Sequence, residues 1–190
     1  MPALAIAVVL IAAPDSLNPS LIVAAVFLTL GANPIRRSLV FAITAFAVTL
    51  AGGLAIALGL GDLILSLLPK LSRTVKYDVT TAVGSAVLMG AGIAGVELLT
   101  AFPYFAAIAM VVGASVSGAG KVFLLILYNV VYVLPLIGIV VVRATMGDKG
   151  AELLVPVSDW IETHWPVVAA PVAGVAGAAL TVYGIVQLVS

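Results

Sequence analysis

Long apolar runs, separated by short polar stretches, divide this chain into segments of the length that crosses a bilayer. A membrane-spanning helix needs about 20 consecutive, mainly apolar residues. Six runs approach or exceed this length, at about 3–30, 38–60, 77–96, 97–115, 122–142 and 167–189. The run Leu63–Leu68 lies in a connector and is too short to span. The pattern predicts an all-α integral membrane protein with six transmembrane helices.

The first run is interrupted near its middle by the polar segment Pro14–Ser20, which we call the first break. Proline interrupts the helical hydrogen-bond ladder and frees backbone carbonyl groups. Inside a bilayer, freed backbone groups and a carboxylate are tolerated only within protein or beside a water-filled cavity. Broken helices of this kind place polar groups at the mid-membrane binding sites of transporters. The candidates here for substrate binding or coupling are Asp15, Ser16, Asn18 and Pro19.

A similar segment, Glu97–Tyr104, follows the third run, and we call it the second break. In both breaks an acidic residue is followed by leucine, then by asparagine or threonine, and then by proline. Dividing the chain between the third and fourth runs gives two three-helix repeats, 1–96 and 97–190, whose odd number of crossings makes them inverted. Paired interrupted segments in such repeats point to a transporter's site. The further candidates are Glu97, Thr100, Pro103, Tyr104 and, inside the fifth run, Asn129.

Each candidate also has a purely structural interpretation. Aspartate is a common helix cap, so Asp15 can serve the backbone alone. Ser16 and Asn18 can satisfy backbone groups at the break, and the prolines can serve only to bend the helices. Glu97 can be solvated at the end of a span, and Asn129 can make an interhelical hydrogen bond. The pattern leaves these alternatives open.

The only strongly polar stretch of the chain, between the fifth and sixth runs, has the spacing of an amphipathic helix. Leu153, Val157, Trp160 and Ile161 recur at helical intervals among acidic residues. Helices of this kind lie in the plane of the membrane surface. We therefore expect an interfacial helix over residues 150–163.

Composition strengthens the membrane assignment and excludes several kinds of chemistry. Hydrophobic residues make up 64% of the chain and charged residues 8%, against about 25% charged residues in soluble domains. The chain has no cysteine, which excludes disulfides and thiolate metal sites. Eight basic and eight acidic residues give no net charge, so nothing indicates a nucleic-acid partner. Because the sequence shows no nucleophile–base pair and no cluster of metal ligands, we expect neither an enzyme nor a bound metal or cofactor.

Three stretches of the sequence resemble one family of membrane proteins. Residues 15–19 (DSLNP), 97–108 (ELLTAFPYFAAI) and 128–136 (YNVVYVLPL) are similar to the first, fourth and fifth spans of the GAP family. That family of glycolipid- and peptidoglycolipid-addressing proteins belongs to the LysE superfamily of small exporters. The resemblance implies six spans in a three-plus-three arrangement, a location in the inner (plasma) membrane, and movement of glycolipids toward the cell surface.

The leading functional hypothesis is a transporter that moves a glycolipid or another amphiphilic envelope solute by alternating access at a mid-membrane site. The alternatives are an exporter of an amino acid or a cation, and a non-transporting accessory component of an envelope-lipid export complex. The expected partners are membrane lipids, the amphiphilic or small-molecule substrate and, through small-residue faces, a second copy of the chain. We also expect the two breaks to converge around a shared polar cavity, whose mostly uncharged groups suit a neutral head group.

Overall fold

The computed structural model describes residues 1–60, 82–98, 101–164 and 167, and every regular element in these ranges is an α-helix. The helices are α1 (Pro2–Asp15), α2 (Pro19–Thr29), α3 (Pro34–Ala57), α4 (Ala82–Leu98), α5 (Phe102–Gly113), α6 (Gly118–Met146) and α7 (148–164). The prediction of an all-α fold is confirmed for this part of the chain.

Two of the described helices, α3 and α6, are long and apolar enough to cross a membrane by themselves. Two further spans arise if each bent pair counts as one, because α1 and α2 meet at 62° and residues 83–98 of α4 meet α5 at 70°. The described residues therefore offer up to four spans. The predicted sixth span and the connector at 61–76 lie outside them, so the count of six stays a prediction.

The second break differs from its predicted place in the chain. We expected Glu97 to open the fourth span, but α4 continues through Glu97 to Leu98, and α5 begins at Phe102. The predicted third and fourth spans are thus two halves of one bent pair, in the same way that α1 and α2 are. Both breaks have a similar form, in which a helix ends beside a carboxylate and the next helix has a proline in its first turn.

Local chemistry explains why the first break separates two helices. The side chain of Asn18 accepts hydrogen bonds from the backbone N–H groups of Ser20 (3.0 Å) and Leu21 (3.4 Å), which makes Asn18 the N-cap of α2. Pro19 occupies the first position of α2, where its missing N–H leaves no bond unmade. At the end of α1, the hydroxyl of Ser16 donates to the carbonyl oxygen of Ala13 (2.6 Å). Ser16 and Asn18 therefore satisfy backbone groups at the break, as their structural interpretation requires.

Small residues let α3 pack closely against its neighbours at the centre of the bundle. A Cβ atom built on Gly90 of α4 would lie 2.9 Å from the carbonyl oxygen of Phe41 in α3. Gly52 and Gly53 are buried in α3, where they lie against Leu98 and Tyr104. The Gly52–Gly53 pair is thus a packing point within a continuous helix, and it brings α3 against the second break.

Large apolar side chains also face outward, as expected for contact with lipid. Leu10 of α1 is 68% exposed, Ile43 of α3 is 57% exposed and Leu134 of α6 is 54% exposed. Together with the apolar helices, these exposures indicate a membrane protein and make a multi-pass arrangement plausible. On α7, Leu153 and Trp160 face outward while Leu154 is buried. The position of that helix at a membrane surface stays a prediction.

Candidate functional site

The two breaks are joined by two tyrosines on one face of α6. Tyr128 donates its hydroxyl hydrogen to Oδ2 of Asp15, the last residue of α1, at 2.6 Å. Tyr132 donates in the same way to Oε2 of Glu97, near the end of α4, at 3.1 Å. Residues four apart on a helix lie one above the other on the same face. One turn of α6 therefore holds one carboxylate from each break.

The second break also reaches the first directly. The carboxylate of Glu97 interacts with the side chains of Asn18 and Ser20 as well as with Tyr132. Asn18 and Ser20 form the cap and the first turn of α2. The predicted convergence of the two breaks is thus observed inside the bundle, while their depth in a membrane stays a prediction.

A second polar network lies immediately beside these carboxylates. The hydroxyl of Tyr104 donates to the carbonyl oxygen of Thr49 (3.0 Å) and accepts from Nδ2 of Asn129 (2.9 Å). The same Nδ2 donates to the carbonyl oxygen of Leu125 (2.8 Å). The ring of Tyr104 stacks on that of Tyr128, with centroids 4.7 Å apart. The interhelical hydrogen bond expected of Asn129 is therefore present, and it links α6 to α5.

A small cavity separates the two networks. Its volume is about 10 Å³, which is near the lower limit for a single water molecule. It is lined by Asp15, Thr49, Leu98, Ala101, Tyr104, Tyr128, Asn129 and Tyr132. The cavity thus adjoins both breaks and the tyrosine face of α6.

A larger groove begins at the first break and follows α2 and α4. Its volume is about 550 Å³, within the range of pockets that hold small molecules. The described residues that line it are Pro19, Ser20, Val23, Ala24, Phe27, Met89, Ile93 and Glu162. Ser20 is shared between the groove and the contacts of Glu97. The groove therefore joins a polar end, at the breaks, to a mainly apolar wall.

The charges around the site are unevenly distributed. Among the described residues the one ion pair joins Arg143 to Asp148 at 2.8 Å, while Lys121 donates to a backbone carbonyl. Asp15 has no basic partner in this part of the chain, and it accepts a hydrogen bond from Tyr128. Within the same residues, no three side chains of His, Cys, Asp or Glu gather as a metal site would require. The absence of a bound metal in the functional protein stays a prediction.

The structure brings together some, but not all, of the site residues that were predicted from the sequence. The set brought together here is Asp15, Asn18, Pro19, Glu97, Tyr104 and Asn129. Pro103 lies in the first turn of α5, directly after its first residue, and Thr100 lies outside the described residues. Sequence reasoning missed Thr49, Ser20, Tyr128 and Tyr132. The two tyrosines could have been found from their spacing, because they lie one helical turn apart on either side of Asn129. Buried carboxylates such as Asp15 need hydrogen-bond donors, and tyrosine hydroxyls can supply them.

A comparison with protein families assigns the chain to one of them. Residues 65–186, more than half of the sequence, match the family described as Sap, sulfolipid-1-addressing protein. The chain belongs to this family. The matched range contains α4 to α7, and so includes Glu97 and Asn129, whereas the first break precedes it. No curated protein and no solved structure matches the chain. Membership supports the glycolipid-addressing part of the resemblance and indicates a role connected with lipids, while the place in the LysE superfamily stays a prediction.

Proposed function

We propose that this protein exports a glycolipid or a similar amphiphile from the plasma membrane, by alternating access at the site where the two breaks meet. The observation that carries the proposal is the position of Glu97. Its carboxylate interacts with Asn18 and Ser20, and Ser20 lines the start of a mainly apolar groove of about 550 Å³. An amphiphile needs such a site, because its head must be hydrogen-bonded while its tail stays out of water.

The residues divide between these two tasks. Glu97, Asn18 and Ser20 offer a carboxylate, an amide and a hydroxyl to the hydroxyl groups of a sugar. Val23 and Met89 provide the wall for an acyl chain. A tail that enters from the bilayer leaves surroundings as apolar as the groove, so its burial adds little to the affinity. The head therefore gives the orientation and most of the affinity, and the tail needs an apolar wall.

Charge favours a head group with little or no net charge. Asp15 lacks a basic partner among the described residues, and Glu97 adds a second carboxylate to the same region. The start of α2 supplies about half a positive charge, and two of its N–H groups already bind Asn18. A neutral sugar head fits better than a dianion. The family name makes a sulfated glycolipid the first substrate to test against its unsulfated counterpart.

The two breaks suggest how access alternates. We divide the described helices into two corresponding units, α1–α2–α3 and α4–α5–α6, each with a helix, a break, a helix with proline in its first turn, and a long helix. The predicted boundary at 96/97 falls inside α4, so this proposal puts the boundary between the two units before that helix. Inverted repeats that rock against each other around a fixed site are the usual design of such transporters. A place in the LysE superfamily is part of this proposal.

The test uses the purified protein in proteoliposomes. We expect it to move a labelled glycolipid, with or without sulfate, faster than lysine or a divalent cation. Val23→Trp should obstruct the groove and reduce glycolipid flux by about tenfold, because the larger side chain occupies space that the tail needs. Ile6→Trp is the matched control, since Ile6 is 61% exposed on α1 and does not line the groove.

Preferential flux of lysine or of the divalent cation would overturn the proposal, as would full glycolipid flux in the Val23→Trp protein. An accessory role gives a different result. The purified protein would then move nothing, although cells lacking it would still fail to export the lipid.

A further inference from the structure

One polar atom at the small cavity has no hydrogen-bond partner. Asn129 is fully buried, and its Oδ1 atom is unsatisfied among the described residues. The orientation of this amide is fixed, because Nδ2 lies 2.8 Å from the carbonyl oxygen of Leu125. Turning the amide over would place two oxygens against each other. A buried unsatisfied acceptor is costly, so the site calls for a ligand that donates a hydrogen or carries positive charge.

The other groups around the cavity cannot satisfy Oδ1, because their donors are already used. Tyr128 and Tyr132 donate to the two carboxylates, and Tyr104 donates to a backbone carbonyl. What remains towards the cavity is oxygen lone pairs on these hydroxyls, on Asn129 and on Asp15. The cavity is therefore a set of acceptors with no donor of its own among the described residues.

Two of the three helix ends around the cavity also favour positive charge, the third being the N-cap of α5, Ala101. Asp15 is the last residue of α1 and Leu98 is the last residue of α4, and both line the cavity. The C-terminal end of a helix carries about half a negative charge. In transporters with broken helices, the C-terminal ends of half-helices are where the coupling cation binds. Asp15 adds a carboxylate that has no basic partner in the described ranges.

Size then limits the ligand. About 10 Å³ admits one water-sized species and excludes a sugar ring. Hard cations prefer oxygen ligands, which is what the cavity offers. We propose that this cavity binds one desolvated monovalent cation, with Asp15 and the Oδ1 atom of Asn129 as ligands, and that Na⁺ is this ion. The cation is the coupling ion and not the cargo, and this proposal departs from the expectation, drawn from the sequence, of no bound metal.

This inference separates two groups of candidates. Asp15, Tyr104 and Asn129 belong to the cation cavity, whereas Asn18, Ser20 and Glu97 belong to the polar end of the groove. The coupling role rests on the proposed export function, but binding of the ion does not. Failure of one is therefore distinguishable from failure of the other.

The experiment measures Na⁺ binding to the purified full-length protein in detergent, without any lipid substrate. Thermal midpoints are compared in sodium chloride and in choline chloride at equal ionic strength, together with direct binding of ²²Na⁺. At a hundredfold excess over Kd we expect Na⁺ to raise the midpoint by roughly 5–10 °C. Asp15→Asn and Asn129→Leu should lose both the shift and the bound ²²Na⁺.

Two features keep this test decisive. Asp15→Asn still offers an acceptor to Tyr128, so it tests the charge even if Asn129→Leu fails to fold. Thr29→Val is the matched control, because Thr29 is a fully buried polar residue that does not line the cavity, and it should keep the full shift. The proposal is overturned if the wild type shows no response to Na⁺, if both cavity variants keep the response, or if only pH, and not Na⁺, changes the midpoint in an Asp15-dependent way.

Discussion

Gly53 offers the sharpest test of how the bundle positions the candidate site. A Cβ atom added to Gly53 would overlap the hydroxyl oxygen of Tyr104. Tyr104 has little freedom to move, because its hydroxyl is held between Thr49 and Asn129 and its ring stacks on Tyr128. Gly53→Ala should therefore displace Tyr104 and disturb the amide at the cavity.

The expected size of this effect follows from three contributions. Overpacking a buried contact costs about 1–3 kcal/mol, and each hydrogen bond of Tyr104 that is lost costs about 1 kcal/mol. Alanine stabilises a helix interior by about 1 kcal/mol relative to glycine. With both hydrogen bonds of Tyr104 lost, these contributions predict that Gly53→Ala lowers the free energy of unfolding by about 2–4 kcal/mol. For a chain of this size each kcal/mol corresponds to roughly 2–4 °C in the thermal midpoint.

The assay is thermal unfolding in detergent, followed by far-ultraviolet circular dichroism. Gly138→Ala in α6 is the matched control, because a Cβ atom there would meet no heavy atom of the described residues within 4 Å. That variant should be more stable than wild type by about 1 kcal/mol. In the Gly53→Ala background, Tyr104→Ala should cost less than it does alone, since the overlap has gone. Equal stability of the Gly53→Ala and Gly138→Ala proteins would refute the reasoning.

Two further predictions concern the ends and contacts of single helices. Asn18→Ala removes the acceptor for two backbone N–H groups in the first turn of α2, so it should lower the free energy of unfolding by about 1 kcal/mol, while Asn18→Ser keeps most of the cap; identical stabilities would contradict this role. Gly90→Ala should destabilise the protein more than Gly92→Ala in the same helix, because within the described part of the chain only the first places a Cβ atom against a backbone carbonyl, that of Phe41 at 2.9 Å. Thermal midpoints compare the two alanine variants directly, and a smaller loss for Gly90→Ala would show that α3 and α4 are not in close contact there.

The helices themselves were predictable from the sequence, because apolar length and proline chemistry are local properties. The second and fifth runs correspond to α3 and α6, although both helices extend beyond the predicted 38–60 and 122–142 at one or both ends. Pro34 begins α3, four residues before the predicted start, because proline suits the first position of a helix. Helical hydrogen bonding does not stop where the apolar residues stop, so hydrophobicity alone gives the ends poorly.

The second break was harder to place, for an electrostatic reason. Acidic residues favour the N-terminal end of a helix dipole, so Glu97 suggests the start of a helix. In the structure it lies near the end of α4, where Tyr132 and the first turn of α2 interact with its carboxylate. These contacts join distant parts of the chain; the bond between Tyr128 and Asp15 spans 113 residues. Pairings of that range are set by packing and cannot be derived from a local pattern.

The geometry of α6 links the two breaks mechanically. Tyr128 and Tyr132 are one turn apart on a continuous helix, and each holds the carboxylate of a different broken helix. If α1 moved relative to α4, as alternating access requires, at least one of these hydrogen bonds would have to break or change partner. A cation bound to Asp15 would stabilise its carboxylate in place of the Tyr128 hydrogen bond. A sugar hydroxyl at Glu97 would compete with Tyr132 for the carboxylate of Glu97. Each ligand of the proposed cycle therefore changes a different one of these two hydrogen bonds. Because both bonds come from α6, a ligand that binds at one break can alter the other break through this helix.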